Sequence, residues 1–156
     1  MAGYRELLPD APVSDVYLAL MGDTVFAEHS CRLAEHHACG AGRAYLSRFD
    51  RRRSTRHVRV RAWHCADIPF AFGTLGVVEL AFLIGGPPTE EDRALSRRMV
   101  RAWADFAATG DPGWPALTID TTPVRTWATT EDRFTPEDTS RARPLWRRCV
   151  PAAAPR

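Results

Sequence analysis

The chain contains no lysine, no asparagine and no glutamine, so every basic side chain outside its histidines is an arginine. That bias is what a GC-rich coding sequence produces and is no sign of phosphate binding. Acidic and basic residues nearly cancel, at a formal net charge of +2, which excludes strong electrostatic steering of a highly charged partner. Long apolar runs are missing too. The longest, Leu75 to Ile84, carries Glu79 and is too short to span a bilayer. No apolar segment follows Met1, so no secretory leader and no membrane association are expected, and the expected location is cytoplasmic. The four cysteines, Cys31, Cys39, Cys65 and Cys149, form no C-x-x-C pair and are expected as free thiols. No internal repeat is present. What remains is a chain of 156 residues, 45% hydrophobic, sized for one domain with a modest core.

Periodicity places the main elements. Val16, Leu20, Phe26 and Leu33 recur at roughly helical spacing and predict a helix from Asp15 to about His37, stopped by Gly40 and Gly42. RAYLSRFD, residues 43–50, has strand character. RRRSTRHVRVR, residues 51–61, reads as a basic connection with a short strand at Val58–Val60. The clearest helix starts at Thr89, a predicted N-cap with Glu90, Glu91 and Asp92 in the first turn, and ends at Gly110. Its apolar stripe is Leu95, Met99, Trp103, Phe106 and Ala107. Residues 111–156 read as short strands and surface loops with a frayed PAAAPR end. The domain division is a lead-in over 1–14, a partial domain over 15–147 and a disordered tail over 148–156.

Two clusters bear on chemistry. His29, Cys31, His36, His37 and Cys39 crowd together, and zinc takes four converging nitrogen or sulfur ligands. On a helix His29 and His36 share a face while Cys31 points away, so a solvated helix end is the reading and no metal or cofactor is expected. The second is AWHCADIPFAFGTL, residues 62–75, where His64 stands at the edge of an apolar turn. A lone histidine there is either a core residue held by a neighbour or an imidazole presented for chemistry.

Three stretches in order bear on that choice: AYLSRFD, WHCADIPFAFGTL and LSRRMVRAWADFAATGDPGWPAL, with DTVFAEHSCRLAEHH upstream. Together they resemble the carboxy-terminal part of type B carboxylesterases, α/β-hydrolases that include para-nitrobenzyl esterases and, more distantly, cholinesterases. The family's catalytic-histidine motif, H-x-x-D/E-I/L-P-F/Y-x-F-G, is matched at His64, Asp67, Ile68, Pro69, Phe70, Phe72 and Gly73. Its last-helix pattern is matched at Met99, Trp103, Phe106, Thr109, Gly110, Asp111, Pro112, Trp114 and Pro115. The resemblance implies an α/β fold, present as the last core strand, the histidine loop and the carboxy-terminal helix, and looking α+β by itself. It implies that His64 is the general base that takes a serine proton, a task suited to imidazole because imidazole titrates near neutrality. Asp67, Pro69, Phe70, Phe72 and Gly73 would support the loop, with Asp67 as a turn anchor and Ile68, Phe70 and Phe72 buried.

The rest of the machinery is not in the sequence. None of Ser14, Ser30, Ser47, Ser54, Ser96 and Ser140 sits in a G-x-S-x-G elbow, and no glycine run precedes His64 to form an oxyanion hole. The expectation is therefore a carboxylic ester hydrolase represented by its portion carrying the base and inactive alone, acting on a small-molecule ester when completed. The neighbouring parallel strand for RAYLSRFD is expected from other polypeptide, leaving a bare strand edge for a complementing chain or self-association. The alternatives are a catalytically dead interaction module and a nucleic-acid binder using the arginines of residues 43–61. No aromatic stacking motif accompanies those arginines, so the chain is not expected to bind nucleic acid.

Overall fold

Pro12, fixed at φ −54°, starts a helical rod that continues to Gly40. The computed structural model describes residues 1–54, 59–60, 64–118, 120–129, 133–135 and 142–149. Within them, a short α1 (Ala2–Leu7) precedes α2 (Val13–Gly22), a π-helical turn (Asp23–Ala27) and α3 (Glu28–Cys39). The single helix expected from Asp15 to His37 is thus slightly longer and carries a wide turn in its middle. There the Thr24 hydroxyl donates to the Leu20 carbonyl at 2.7 Å, a side-chain competitor for the helical ladder.

The rod leads into β1 (Leu46–Phe49), which pairs in parallel with β4 (Val124–Trp127), Leu46 opposite Val124 and Phe49 opposite Trp127. Antiparallel β5 (Arg133–Thr135) completes a sheet of order β1-β4-β5. A parallel partner for β1 therefore comes from this chain itself, on one edge, where the sequence suggested only an outside strand. A two-residue hairpin pairs β2 (Arg53–Ser54) with β3 (Arg59–Val60), and Val58 lies outside the described residues.

The core forms where α6 (Glu90–Thr109) lies against α4 (Ile68–Ala71) and the sheet. Leu95, Met99 and Ala102 bury with Phe70, Leu75, Ile84 (the last residue of α5, Ala81–Ile84), Trp114 and Trp127. The outer half of the expected stripe is not buried: Trp103, Phe106 and Ala107 are exposed. Thr89 caps α6 as expected, in a reciprocal box. Its Oγ1 accepts from the Asp92 N–H at 3.1 Å while its own N–H donates to Asp92 Oδ2 at 3.0 Å. Gly110, at φ +73°, closes the far end in the left-handed region. Thr89→Ala is expected to cost about 1 kcal/mol in urea unfolding, since Asp92 can still accept from the residue-89 N–H.

A satellite core joins the two ends of the chain. Tyr4, Val16 and Ala142 are buried with Leu145 and Trp146 of α7 (Arg143–Cys149) packed against them. Trp146 Nε1 donates to the Tyr4 hydroxyl, which donates to Asp23 Oδ2, both at 2.7 Å. Burial and then the bond to Asp23 hold the Tyr4 phenol well above its usual range. Helix α7 was not expected in the loop-rich end of the sequence. A helix of this length is stabilised by its tertiary contacts, here Leu145, Trp146 and the Arg143 contact with Glu35.

Candidate functional site

The described part of the segment carrying His64 is anchored by four buried residues, Ala66, Pro69, Phe70 and Leu75. Pro69 and Phe70 sit in the single turn of α4, with Phe70 wholly inaccessible to solvent. Three neighbours hold that phenylalanine. The Ser96 hydroxyl of α6 donates to its carbonyl at 2.9 Å. Its ring meets Phe49, at the end of β1, with centroids 5.1 Å apart. The Arg51 guanidinium lies over it at 5.5 Å.

Arg51 is itself 3% exposed and its charge is fully engaged. Nε and Nη2 donate to the two oxygens of Asp92, each at 2.9 Å, and Nη1 donates to the Ile84 carbonyl at 2.7 Å. One carboxylate thus caps α6 and binds the arginine that covers Phe70. The histidine loop, the end of β1 and the start of α6 are joined through a bidentate pair.

At the start of the loop His64 is exposed, and its ring stacks on Phe26 with centroids 4.7 Å apart and planes 17° from parallel. Stacking covers a face of the imidazole and leaves the nitrogens, at the ring edge, clear of the contact. Phe26 belongs to the π-helical turn, so the irregular turn is the element that brings an aromatic ring to His64. Cys65 follows at φ +68°, an uncommon conformation for a residue with a Cβ.

Of the supporting residues named from sequence, Pro69 and Phe70 are buried and Gly73, at φ +68°, makes the turn out of α4. Two expectations are corrected. Ile68 and Phe72 are 41% and 76% exposed, because IPFA winds into a helical turn that points only one side inward. Asp67 anchors the turn through its backbone carbonyl, which accepts from the Phe70 and Ala71 N–H groups at 3.0 and 2.9 Å, and its side chain makes no capping bond. Phe26, Arg51, Asp92 and Ser96 were not singled out as site residues. For Phe26 a signal existed, the fixed phenylalanine of the D-x-x-F pattern in DTVFAEHSCRLAEHH.

The other clusters give less. Among the described residues no three of His, Cys, Asp and Glu converge as a metal site, and no helix is long and apolar enough to cross a membrane. In the arginine-rich stretch Arg51 is buried, Arg52 contacts Asp50 at 3.1 Å and Arg53 donates to the Pro87 carbonyl at 2.8 Å.

The carboxylesterase family profile matches residues 10–140. Carboxylesterase 5A of Felis catus is 34% identical over 116 residues, 68% of this chain and 21% of that protein. Acylcarnitine hydrolase of Rattus norvegicus is 31% identical over 115 residues, 67% of this chain and 19% of that protein. The chain thus spans about a fifth of the length of these curated relatives. Among solved structures, a Geobacillus stearothermophilus carboxylesterase superposes with a TM-score of 0.74 at 27% identity, covering 93% of this chain and 30% of that one. A thermophilic para-nitrobenzyl esterase superposes at 0.75 and 23% identity, covering 92% of this chain and 29% of that one, a likeness of fold. The chain belongs to the carboxylesterase family, and its fold is part of an α/β-hydrolase.

Proposed function

We propose that His64 is the general base of a serine-type carboxylic ester hydrolase whose nucleophile, triad acid and oxyanion-hole donors lie outside residues 1–156. The observation that carries this reading is the placement of His64. It is an exposed imidazole, steadied by a ring stack, on a loop whose next turn is clamped into the core through Phe70. That loop lies next to the carboxyl end of β1, through the Phe49–Phe70 contact, and open α/β sheets bind their ligands at the carboxyl ends of their strands. In the reaction an imidazole nitrogen removes the proton from the serine hydroxyl as it attacks the ester carbonyl, then returns it to the leaving alcohol. The substrate is a small-molecule ester. Phe70, Pro69 and Gly73 position the loop, and Arg51, Asp92 and Ser96 hold Phe70.

Losing the nucleophile alone costs a serine hydrolase on the order of 10⁶ in rate. The isolated chain is therefore expected to leave para-nitrophenyl acetate hydrolysis at the buffer rate. Hydrolysis should rise when the amino-terminal portion of a carboxylesterase is added. Turnover by the isolated chain that disappears in His64→Ala would overturn the claim that it is silent alone. Turnover by the completed protein that is unchanged in His64→Ala would overturn the role of His64.

A second reading, a catalytically inert interaction module, is favoured by the exposed apolar side chains Leu33, Trp103 and Phe106. It predicts a complex without turnover in the same assay.

A further inference from the structure

We propose that the groove between α6 and the turn after α4 binds a free amphipathic carboxylate, a straight-chain fatty acid, with its head group on Arg93 and Arg97 and its chain along Leu75 and Val100. Such a site stands whether or not His64 acts as a base.

On one face of α6, Arg93, Ser96, Arg97, Val100 and Arg101 recur at helical spacing, and all of them line a cavity of about 570 Å³. That volume falls inside the range of about 300–1,000 Å³ that small-molecule sites occupy. Gly73, Leu75 and Gly76 form the facing wall. A Cβ built at Gly73 would lie 3.5 Å from Val100 Cγ2, so the walls nearly meet there, whereas at Gly76 nothing stands within 4 Å. Leu75 belongs to the buried core and Val100 is exposed, so the middle of the groove is apolar. Ser96 adds no donor, because its hydroxyl is committed to the Phe70 carbonyl at 2.9 Å.

Charge selects the sign of the ligand and the walls select its shape. Three guanidinium groups follow one another along the groove at steps of about 6 Å, and among the described residues no acid lines it. Glu90 lies outside the lining and reaches two of them, Arg93 at 3.5 Å and Arg97 at 3.2 Å, while Asp105 contacts Arg101 at 3.6 Å. Three positive charges against two negative ones leave one, and it lies at Arg93 and Arg97, which share a single carboxylate. One monoanion balances it. All five side chains are at least half exposed, and exposed pairs contribute little, so a ligand carboxylate can replace Glu90 at small cost. A guanidinium offers a carboxylate two parallel N–H donors, and the length of groove beside Leu75 and Val100 takes the alkyl chain. Walls on two sides admit a single chain and exclude the flat face of a bilayer, so the ligand is a free molecule.

The test is equilibrium dialysis of the chain against radiolabelled decanoate below its micelle concentration. Saturable binding at a single site is expected. Decanol keeps the tail and loses the charge, acetate keeps the charge and loses the tail, and each should compete less well by about tenfold or more. Arg97→Ala places the best helix former at an exposed position, so it should keep the circular dichroism of the parent. It should weaken binding by about tenfold or more, the scale of one hydrogen bond to a charged group. Gly76→Phe should weaken it as well, filling the groove from a position with room for a Cβ and no left-handed φ. If that variant fails to fold, Arg97→Ala decides by itself. Arg52→Ala removes the same charge beside Asp50, on another surface, and should leave binding unchanged. Four results would overturn the site: no saturable binding, undiminished affinity in Arg97→Ala, an equal loss in Arg52→Ala, or decanol competing as well as decanoate. Sedimentation of the chain with phosphatidylserine vesicles in the absence of decanoate binding would also overturn it, assigning the arginines to a membrane surface.

Discussion

His64→Ala in the completed hydrolase should lower kcat for para-nitrophenyl acetate by about 10⁶, the scale on which removal of the triad histidine acts in a serine protease. The size follows from the role. Without a base the serine hydroxyl stays protonated through the attack, and the alcohol leaves without a proton donor. KM should change little, because the substrate's acyl and alcohol parts need not contact the imidazole in the ground state. Stability should also change little: the ring is exposed and its one described contact is the stack on Phe26, a pair worth about 0.5–1.5 kcal/mol. The measurement is a steady-state titration beside a urea melt. A loss of activity matched by a loss of stability would show that His64 is a packing residue. A change of less than tenfold in kcat would show that the proton goes elsewhere.

Asp92→Ala should destabilise the chain by about 3–5 kcal/mol, the cost of breaking a buried ion pair from one side. The Asp92 carboxylate is 1% exposed and serves two donors at once, the Arg51 fork and the Thr89 N–H. Its removal leaves a guanidinium that is 3% exposed with one carbonyl bond, to Ile84, and no counter-charge. Domains of this size are stable by about 5–15 kcal/mol in total, so the variant should be near its unfolding midpoint in mild urea. Asp92→Asn keeps one oxygen, which can accept from both the Thr89 N–H and Arg51 Nη2, while its NH2 group faces the Arg51 Nε–H, and it should lose less. The linkage to the site is specific. As Arg51 loses its carboxylate it loses its position over Phe70, so the His64 loop should open before the sheet does, seen as faster exchange at Phe70 and Ala71 than at Arg48 and Asp50. A loss below about 1 kcal/mol would show that water replaces the carboxylate and that the pair contributes little.

How much of this was legible beforehand depended on the range of the interactions. The α6 helix was readable because its signals are local: Thr89 and Asp92 three residues apart, an apolar stripe, and Gly110 where the backbone turns left-handed. The histidine segment was readable as a motif, yet its burial was misassigned at Ile68 and Phe72, since alternation along the sequence says nothing about whether IPFA extends or winds. The Arg51–Asp92 pair joins residues 41 positions apart inside a run of arginines that look alike in sequence. No local signal separates the buried one from its solvated neighbours. Helix α7 escaped notice for the same reason, held by Leu145 and Trp146 against a satellite core that exists only after the two ends of the chain meet.

The amino-acid sequence by itself determined the family and the capped helix α6, because each depends on residues close together or on a spacing preserved along the chain. Tertiary structure alone decided which arginine is buried, that Phe26 stacks on His64, and that β1 pairs with β4 of the same chain. Those depend on which surfaces come together and which are left uncovered, and only the folded chain specifies that.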